Sequence, residues 1–424
     1  MATEEIDTLV VGGGQAGIAM SEHLSACGVP HVVLERHRIA ERWRSERWDS
    51  LVANGPAWHD CFPGMDFPET DPDSFPPKEE VAEYFTAYAK HIAAPIRCGV
   101  EVLSVERNSG GPRFRTETSH GVLKANNIVV ATGPFQHPIM PKLVPEMTGL
   151  TQIHSNSYRN PDQLQRGGVL VVGGGSSGTQ IADELLRSGR RVYLSIGPHD
   201  RPPRAYRGLD YCWWLGVLGK WDLSTPREGA EHVTIAVSGA RGGETVDFRR
   251  LAAQGMTLVG QTKGYKDGCV IFAPDLVENL AKGDANYLSV LDEADAYVAR
   301  NGISLPEEPN ARKRFPDSSC ITDPIDSLNL KAADITAIIW ATGYSNDYSW
   351  LKVGAFDEHG KPKHHRGVSA EPGVYFLGLP WLSRRGSSFI WGVWHDAKFL
   401  ADHILTKRKY LTYQARDNRR VKSA

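Results

Sequence analysis

The sequence predicts an α/β chain with two doubly wound, Rossmann-like dinucleotide-binding domains, the second inserted into the first. Residues 6–35 contain a strand, a glycine-rich turn, a helix and a second strand, and the same pattern restarts at residue 169. Two further apolar segments, NIVVATG at 127–133 and DITAIIWATGY at 334–344, predict buried strands that end in Ala-Thr-Gly turns. Such alternation of strands and helices is typical of parallel sheets with helices on both faces.

The first pattern predicts a dinucleotide site. Residues 6–11 form an apolar, β-branched strand and residues 15–26 have the apolar spacing of a helix, so a phosphate would lie at the helix N-terminus. A second strand over 31–34 ends at Glu35, where an acid would bind the ribose hydroxyls. Glycines also form ordinary tight turns, but here strand, turn, helix, strand and acid agree. The predicted cofactor-binding residues are Gly12, Gly14, Gln15, Ala16, Gly17, Glu35 and Arg36.

A long segment rich in Arg, Trp and Pro follows over residues 36–77. Loops of this length inside compact domains are usually functional. The chain then predicts a helix at 78–92, a strand at 96–105, an antiparallel piece at 113–123 and the buried strand at 127–133. The cofactor-binding residues predicted in this region are Val102, Ala131, Thr132, Gly133 and Gln136.

The second pattern repeats the strand, turn and helix but ends differently. Strands are expected at 169–172 and 192–196, with a helix to about residue 188 between them. Where an acid would bind the ribose this copy has Ser195, followed by three arginines that suit a 2′-phosphate and hence NADPH over NADH; an ordinary solvated loop is the alternative. The predicted residues are Gly173, Gly175, Ser176, Ser177, Gly178, Ser195, Arg201, Arg204 and Arg207. Two nucleotide folds in one chain imply a flavoprotein in which one dinucleotide delivers hydride to the other.

The remaining part of the chain predicts a return to the first domain. Tyr211 to Trp221 is aromatic-rich and either packs against the sheet or lines a pocket. Ala341, Thr342 and Gly343 are predicted to contact a cofactor. Other expected elements are strands at 257–265, 269–272 and 374–379, an amphipathic helix at 286–301, and a closing helix at about 395–407 that either directs its N-terminal amides at the flavin or only packs. The predicted domains are 1–165 and 331–424 for the first fold and 166–330 for the insert.

Composition excludes several classes of function. With 424 residues, 41% hydrophobic and 23% charged, the chain is typical of a globular protein, and its net charge of −2 indicates neither nucleic acid nor an anionic membrane as a partner. The six cysteines include no CxxC pair and no Cys/His cluster, which disfavours a dithiol redox enzyme and a metal site. Without a signal-peptide pattern or an apolar run long enough to span a bilayer, a cytoplasmic protein is expected, and a homodimer would fit base rates.

These features resemble the flavin-containing monooxygenases, group B flavoproteins with one FAD site and one NADPH site, in a bacterial-type branch. The resemblance rests on GGGQAG with Glu35, on Arg42 and Trp43 with SLVANGP, on HSNSYR before GGGSSG, and on DITAIIWATGY. It implies FAD at the first fold, NADPH at the inserted fold, molecular oxygen as the oxidant, and cofactor contacts for Arg42, Trp43 and Asn54. It also implies a C4a-(hydro)peroxyflavin that transfers one oxygen atom to a small lipophilic nitrogen, sulfur or carbon nucleophile.

The same resemblance gives Asn54 a catalytic role beside the flavin. The segment at 50–68, SLVANGPAWHDCFPGMDFP, looks like the family's Asn-containing loop. A neutral amide both donates and accepts hydrogen bonds without offering an acid that would expel peroxide. Asn-Gly-Pro is also a turn signature, so a structural role is the alternative. Trp58 and His59 either line the same pocket or serve structurally.

The resemblance is incomplete in one fingerprint, FxGxxxHxxx(Y/F)(K/R). His154, Tyr158 and Arg159 fit its second half, but Met147 stands in place of Phe and Gly149 lies one residue too far from the histidine. The ending HSNSYR also differs from the His-Thr-x-x-Trp-Pro of Baeyer–Villiger relatives, which disfavours ketone oxygenation. Two other classes stay open: an NAD(P)H-dependent flavin oxidoreductase for a quinone, metal chelate or redox protein, and a flavin-binding redox sensor without NADPH turnover.

Overall fold

The computed structural model describes residues 4–224 and 234–422. Short strands and helices alternate along most of this length, as the apolar periodicity predicts. The strands are β1 (Glu4–Val11), β2 (His31–Glu35), β3 (Ile96–Cys98), β4 (Val102–Arg107), β5 (Phe114–Thr118), β6 (Gly121–Val130), β7 (His137–Pro138), β8 (Thr151–His154), β9 (Gly168–Val172), β10 (Val192–Ser195), β11 (Ala205–Tyr206), β12 (Leu209–Asp210), β13 (Thr257–Val259), β14 (Thr262–Lys266), β15 (Cys269–Phe272), β16 (Ser327–Asn329), β17 (Ile335–Trp340), β18 (Tyr344–Ser345), β19 (Leu351–Lys352), β20 (His364–His365), β21 (Val368–Ser369) and β22 (Val374–Phe376).

The helices range from single turns to a closing helix that runs to the end of the described chain. The α-helices are α1 (Gln15–Ala26), α2 (Glu41–Ser45), α3 (Lys78–His91), α4 (Ser176–Arg187), α5 (Tyr211–Val217), α6 (Ala240–Gly243), α7 (Phe248–Ala253), α8 (Leu276–Asn301), α9 (Ser319–Thr322) and α10 (Ile390–Lys422). In the described part of the chain, every helix is too short or too polar to cross a bilayer.

The first sheet is built around the opening strand. Its order is β19-β4-β5-β6-β1-β2-β3, and β22 pairs with the last residues of β6. β1 pairs in parallel with β2 and β6, whereas β4, β5 and β6 form an antiparallel meander. The buried cluster on this sheet includes Ile18 of α1, Phe85 of α3 and Leu400 of α10, each fully buried. Helices distant in sequence therefore cover one parallel centre, as expected for a doubly wound domain.

The second sheet is parallel throughout, in the order β13-β10-β9-β17-β8. Two of its strands, β8 and β17, lie outside the predicted insert of 166–330. The sheets therefore divide the chain near residues 150 and 341, which differs from the predicted boundaries. The physical reason is that β17 lies beside β9 and buries both of its faces: Ile338 and Ile339 are fully buried in two different apolar clusters. The second Ala-Thr-Gly turn thus follows a strand of the insert.

Two chain crossings connect the sheets, and they run side by side. β7 follows the first Ala-Thr-Gly turn and pairs antiparallel with β18, which follows the second. The Ile139 N–H donates to the carbonyl oxygen of Gly343 at 3.0 Å, and a ring nitrogen of His154 lies 3.0 Å from the same oxygen. The segments that follow the two Ala-Thr-Gly turns are therefore held together at the junction of the sheets.

Several predicted elements have different bounds in the structure. The strand expected at 96–105 is two strands, β3 and β4, and the strand expected at 374–379 ends at Phe376. The strand expected at 257–265 is two strands, because Gly260 lies against the backbone of Ala273, where a Cβ atom would be 2.0 Å from the carbonyl oxygen. α8 begins at Leu276, ten residues before the expected start, and α10 begins at Ile390 instead of about 395. The α/β fold with two dinucleotide-binding sheets is confirmed.

Candidate active site at the two glycine-rich turns

The first glycine-rich turn joins β1 to α1 at the carboxyl end of the parallel strands. Gly12 has a φ of +114°, and a Cβ atom there would lie 2.5 Å from the carbonyl oxygen of Ala131. A Cβ on Gly17 would lie 1.9 Å from the carbonyl oxygen of Gly12, so helix and strand approach too closely for any side chain. Gly14, in contrast, has nothing within 4 Å of its Cβ position, which leaves open space at the N-terminus of α1. The turn fits a dinucleotide pyrophosphate.

Glu35 is held against this turn by two backbone amides. Its Oε2 accepts the Gly13 N–H at 2.7 Å, and its Oε1 accepts the His37 N–H at 2.9 Å. A carboxylate has lone pairs left after two such bonds, so Glu35 retains acceptor sites for ribose hydroxyls. The Val100 N–H donates to the Glu35 carbonyl at 3.0 Å and brings Val102, the first residue of β4, close to the acid.

The first Ala-Thr-Gly turn is braced by Gln136. Its Nε2 donates to Thr132 Oγ1 and to the Gly133 carbonyl, both at 2.9 Å, while its Oε1 accepts the Asp347 N–H at 2.8 Å. Gln136 therefore ties the turn after β6 to the segment after β18. In this structure its amide stabilises the turn, and a direct cofactor contact stays a prediction.

Arg42 and Trp43 lie on α2, between the two folds. Arg42 pairs with Glu46 at 2.8 Å and donates to the carbonyl oxygen of Phe135. Trp43 packs against the apolar cores of both sheets. These contacts place α2 at the junction, so both residues brace the segment that leads to Asn54.

The second glycine-rich turn repeats the first in detail. Gly173 has a φ of +122°, and its Cβ would lie 2.4 Å from the carbonyl oxygen of Ala341. A Cβ on Gly178 would lie 1.9 Å from the Gly173 carbonyl, the distance found for Gly17 and Gly12. Ser176 opens α4 and donates through Oγ to the Ile235 carbonyl at 2.8 Å. This turn also fits a dinucleotide pyrophosphate.

Strand register corrects the predicted counterpart of the ribose-binding acid. Val11 pairs with Leu34 in the first sheet, and Val172, the equivalent residue, pairs with Ser195 in the second. The counterpart of Glu35 is therefore Ile196. Ser195 is buried, and its Oγ donates to the Gly260 carbonyl at 2.9 Å and accepts the Thr262 N–H at 3.0 Å. Its hydroxyl joins two strands, which overturns its predicted place at the ribose.

The three arginines are engaged in ion pairs within the protein. Arg201 bonds Asp284 at 3.0 Å and is 6% exposed, and Arg204 bonds Asp210 through two nitrogens and is 2% exposed. Arg207 pairs with Asp295 at 2.7 Å. A buried guanidinium needs such partners because desolvation of an unpaired charge is costly. The expectation that these side chains bind a 2′-phosphate is therefore not supported by their geometry.

Two residues just beyond β13 lie beside the residue that follows the Ile196 position. The second sheet places Gln261 beside Gly197, whose Cβ would lie 3.7 Å from the Gln261 amide nitrogen. Lys263 is exposed there, and its Nζ donates to Gln261 Oε1 at 2.6 Å. Because β13 is next to β10 only in the fold, sequence reasoning gave no signal for this pair.

Asn54 lies where the long loop after β2 meets the second fold. Its side-chain Oδ1 accepts a hydrogen bond from Gln180 Nε2 of α4 at 2.9 Å. Its backbone carbonyl accepts one from Arg204 Nη1 at 2.5 Å. The residue itself is exposed. The predicted catalytic residue is thus anchored by the second fold, and its partner Gln180 had no motif that could reveal it.

An aromatic cluster adjoins this loop. His59 stacks on Trp221 with ring centroids 5.1 Å apart, and Trp391 at the start of α10 lies 6.1 Å from both. His59 Nδ1 bonds Asp60 at 2.9 Å, while the buried His59 Nε2 and Trp221 Nε1 have no protein partner. Gln15 Nε2 donates to the Ser388 carbonyl at 2.9 Å, which joins the start of α1 to the segment before α10. Of the predicted aromatic stretch, Trp221 is therefore the member that reaches the loop.

The fingerprint residues lie near the junction of the two folds, and Arg159 contacts both of them. Burial lowers the pKa of His154, whose ring contacts the Gly343 carbonyl described above. Tyr158 donates to Glu184 of α4 at 2.6 Å. Arg159 donates to the carbonyl oxygen of Ser45, the last residue of the helix that carries Arg42. These contacts explain why a histidine, a tyrosine and a basic residue occur at this spacing.

Comparisons with known proteins agree with this geometry. A family model described as "Pyridine nucleotide-disulphide oxidoreductase" matches residues 9–206. The chain is 33% identical to an uncharacterized oxidoreductase, CzcO-like, of Geobacillus kaustophilus over 94% of this chain and 98% of that protein. It is also 33% identical to a probable indole-3-pyruvate monooxygenase, YUCCA1, of Arabidopsis thaliana, over 93% and 89%.

A solved structure extends the likeness to the fold. The flavin-containing monooxygenase from Stenotrophomonas maltophilia superposes with a TM-score of 0.64 at 20% identity, over 96% of this chain and 99% of that chain. Relatives that share a third of their residues over nearly the whole length establish the family. The chain belongs to the flavin-containing monooxygenase family and is an FAD-dependent monooxygenase.

Proposed function

We propose that FAD binds at the first glycine-rich turn, that NADPH binds at the second, and that the enzyme transfers one atom of molecular oxygen to a small lipophilic nucleophile. The main observation behind this proposal is that the turn geometry is repeated. In both copies the Cβ position of the last glycine lies at the same distance from the carbonyl oxygen of the first. Only one copy has an acid at the end of its second strand. Glu35 suits the free ribose hydroxyls of FAD, whereas Ile196 presents no carboxylate to repel a 2′-phosphate.

The overall reaction consumes NADPH, a proton, oxygen and substrate, and yields NADP⁺, water and the oxygenated product. Reduced FAD supplies the oxygen chemistry, through the C4a-(hydro)peroxyflavin that the family resemblance implies. The chain's own residues bind and orient the two dinucleotides, and they keep water from the reacting atoms.

Asn54 is proposed as the polar residue at the reactive edge of the flavin. Its loop belongs to the first fold and contacts α4 of the second through the Asn54–Gln180 hydrogen bond, so we place its amide between the two bound dinucleotides. A carboxamide donates a hydrogen bond there without supplying a proton acidic enough to release peroxide. His59, Trp221 and Trp391 would form an aromatic wall beside Asn54, which supports an aromatic or otherwise lipophilic substrate.

The sheet membership supports a larger insert than the sequence predicted. We place the NADPH-binding fold at about residues 151–340, between the two parts of the FAD-binding fold. Both connections then pass through the β7–β18 pair, which would let the folds keep a fixed spacing during hydride transfer.

The proposal is tested by measuring hydrogen peroxide formed per NADPH consumed, with a panel of amines, sulfides, indoles and ketones. An aromatic 2-oxo acid belongs in the panel because the Arabidopsis relative is named for indole-3-pyruvate. A productive substrate should raise NADPH consumption while lowering the peroxide yield per NADPH. Near-stoichiometric peroxide with every compound would favour a plain NAD(P)H oxidoreductase, and FAD binding without NADPH turnover would favour a redox sensor.

A further inference from the structure

We propose that Gln180 is a positioning residue that sets the orientation of the Asn54 carboxamide from the NADPH-binding fold. In this orientation the Asn54 side-chain oxygen accepts a hydrogen bond from Gln180, and the Asn54 NH₂ group is free to donate a hydrogen bond to the flavin. The inference rests on the proposed role of Asn54, and it adds a residue that no motif identifies.

The polarity of the contact follows from a carbonyl group that can only accept. Gln180 Nε2 lies 3.0 Å from the carbonyl oxygen of Val237. A backbone oxygen accepts hydrogen bonds and never donates them, so the Gln180 atom on this side must be the NH₂ nitrogen. The same nitrogen lies 2.9 Å from Asn54, whose facing atom must therefore be the oxygen, Oδ1. One fixed acceptor thus determines the orientation of two amides in series.

Burial makes this orientation costly to reverse. Gln180 is 8% exposed, so its NH₂ group has little access to water that could replace a lost partner. If the Asn54 carboxamide rotated by 180°, two NH₂ groups would face each other, and the Gln180 N–H that points at Asn54 would lose its acceptor. An unsatisfied buried donor is penalised by the full desolvation of that group.

The backbone of the same residue is held independently. Arg204 Nη1 donates to the Asn54 carbonyl, and the guanidinium is fixed by Asp210 and lies over the Phe75 ring at 5.0 Å. At the preceding residue of the loop, a Cβ on Gly239 would lie 2.1 Å from the Ala53 carbonyl oxygen. The backbone of the second fold therefore packs directly against the loop. Both oxygens of Asn54 therefore have donors from the second fold.

The segment that orients Gln180 is tied to the second glycine-rich turn. Ser176, the first residue of α4, donates to the Ile235 carbonyl at 2.8 Å and accepts the Val237 N–H at 3.3 Å. Ser176, Val237, Gln180 and Asn54 thus form one chain of hydrogen bonds from the proposed NADPH site to the proposed flavin site. Orientation of the catalytic amide is a property of the assembled pair of folds.

The decisive variant is Gln180→Glu, compared with Gln180→Met in the full-length, FAD-loaded enzyme. At high pH the glutamate carboxylate only accepts, so it binds the Asn54 NH₂ group and turns the carboxamide over. As the pH falls and the carboxyl gains a proton, its O–H donates to Asn54 Oδ1 again. We expect the peroxide yield per NADPH to rise several-fold over the unmodified enzyme at high pH and to return toward its value at low pH. Gln180→Met, which cannot donate, should show a raised yield at every pH.

Controls separate this inference from the proposed function. Gln152→Met removes an amide on edge strand β8 that bonds Val144 and Pro145 carbonyls, and it should leave the pH profile of the peroxide yield unchanged. FAD content and the unfolding temperature of each variant report whether it is folded. If Gln180→Glu is not folded, Gln180→Met alone decides.

Two results would contradict the positioning role of Gln180, and they have different consequences for the proposed function. If Asn54→Ala raises the peroxide yield while both Gln180 variants match the unmodified enzyme at all pH values, the positioning role is wrong and the proposed function stands. If Asn54→Ala itself leaves the yield unchanged, the proposed role of Asn54 is wrong, and the inference built on it is wrong as well.

Discussion

Glu35 Oε2 accepts the backbone N–H of Gly13 at 2.7 Å, so the acid that would bind the ribose also helps to close the turn that would bind the pyrophosphate. The second sheet has no such bond, because the residue in register with Glu35 is Ile196. This difference between two otherwise matching turns is the strongest structural reason to give them different cofactors.

Replacement of Glu35 should weaken FAD binding, less in Glu35→Gln than in Glu35→Ala. Glu35→Gln keeps one acceptor oxygen but removes the charge, and Glu35→Ala removes both bonds to the turn. Hydrogen bonds to charged groups contribute about 1.5–3 kcal/mol, so Glu35→Ala should raise the FAD dissociation constant by roughly 10- to 100-fold, with Glu35→Gln between. Titration of apoprotein with FAD, followed by flavin fluorescence, measures this. Equal affinity in all three proteins would remove Glu35 from the site.

Alanine at the last glycine of each turn should disable one cofactor at a time. Gly178→Ala places a Cβ against the Gly173 carbonyl, so the protein should remain yellow but be reduced slowly by NADPH. Gly17→Ala creates the same clash in the first turn, and FAD should be lost instead. Gly14→Ala is the matched control, because its Cβ would contact no protein atom and should not disturb packing. If this variant loses FAD, the added methyl group must clash with the cofactor itself. Loss of FAD from Gly178→Ala with an unchanged unfolding temperature would reverse the assignment of the two turns.

Selectivity for NADPH over NADH should depend on Lys263 and not on Arg207. Lys263 is exposed beside the carboxyl end of β10, whereas Arg207 is paired with Asp295. Lys263→Met should lower the ratio of catalytic efficiency for NADPH over NADH by about tenfold, the effect of one charge-assisted contact. Arg207→Met should lower the unfolding temperature and leave the ratio unchanged. The opposite pattern would restore the sequence-based interpretation of the arginines.

Stability should fall in mild acid because of His23. Burial against α10 lowers the pKa of His23 from 6.5 to about 4, and its ring bonds the Trp394 carbonyl at 3.1 Å. The folded pKa is below the unfolded one, so the unfolded chain binds the proton first and stability is lost as pH falls from about 6.5 toward 4. The expected loss between pH 7.5 and pH 5 is about 2 kcal/mol. Urea unfolding at both pH values measures it. His23→Gln should reduce this pH dependence. If the free energy of unfolding of the variant still falls by the same amount between pH 7.5 and pH 5, His23 is not its cause.

The sequence was sufficient for features that are local along the chain. Gly12, Gly17, Gly173 and Gly178 could be predicted because a close approach of strand and helix leaves no alternative residue. Glu35 could be predicted because it ends the second strand of a short, continuous pattern.

What the sequence could not provide depends on contacts between distant segments. Ser195 was predicted in the place of Glu35 because the sequence alone does not show how the strands pair. A shift of one residue in that pairing moves a side chain to the other face of the sheet. Arg204 seemed free because Asp210 and the Asn54 carbonyl become its partners only after folding. β17 seemed to belong to the first fold because a buried strand does not indicate which sheet it joins.

The central claim is that oxygen is transferred to substrate and not merely reduced. The most direct measurement is turnover under ¹⁸O₂ with the compound that most lowers the peroxide yield, followed by mass spectrometry of the product. If oxygen is transferred, the product carries one ¹⁸O atom for each NADPH oxidised in excess of the peroxide formed. A product without ¹⁸O, with all NADPH recovered as peroxide or water, would contradict this claim.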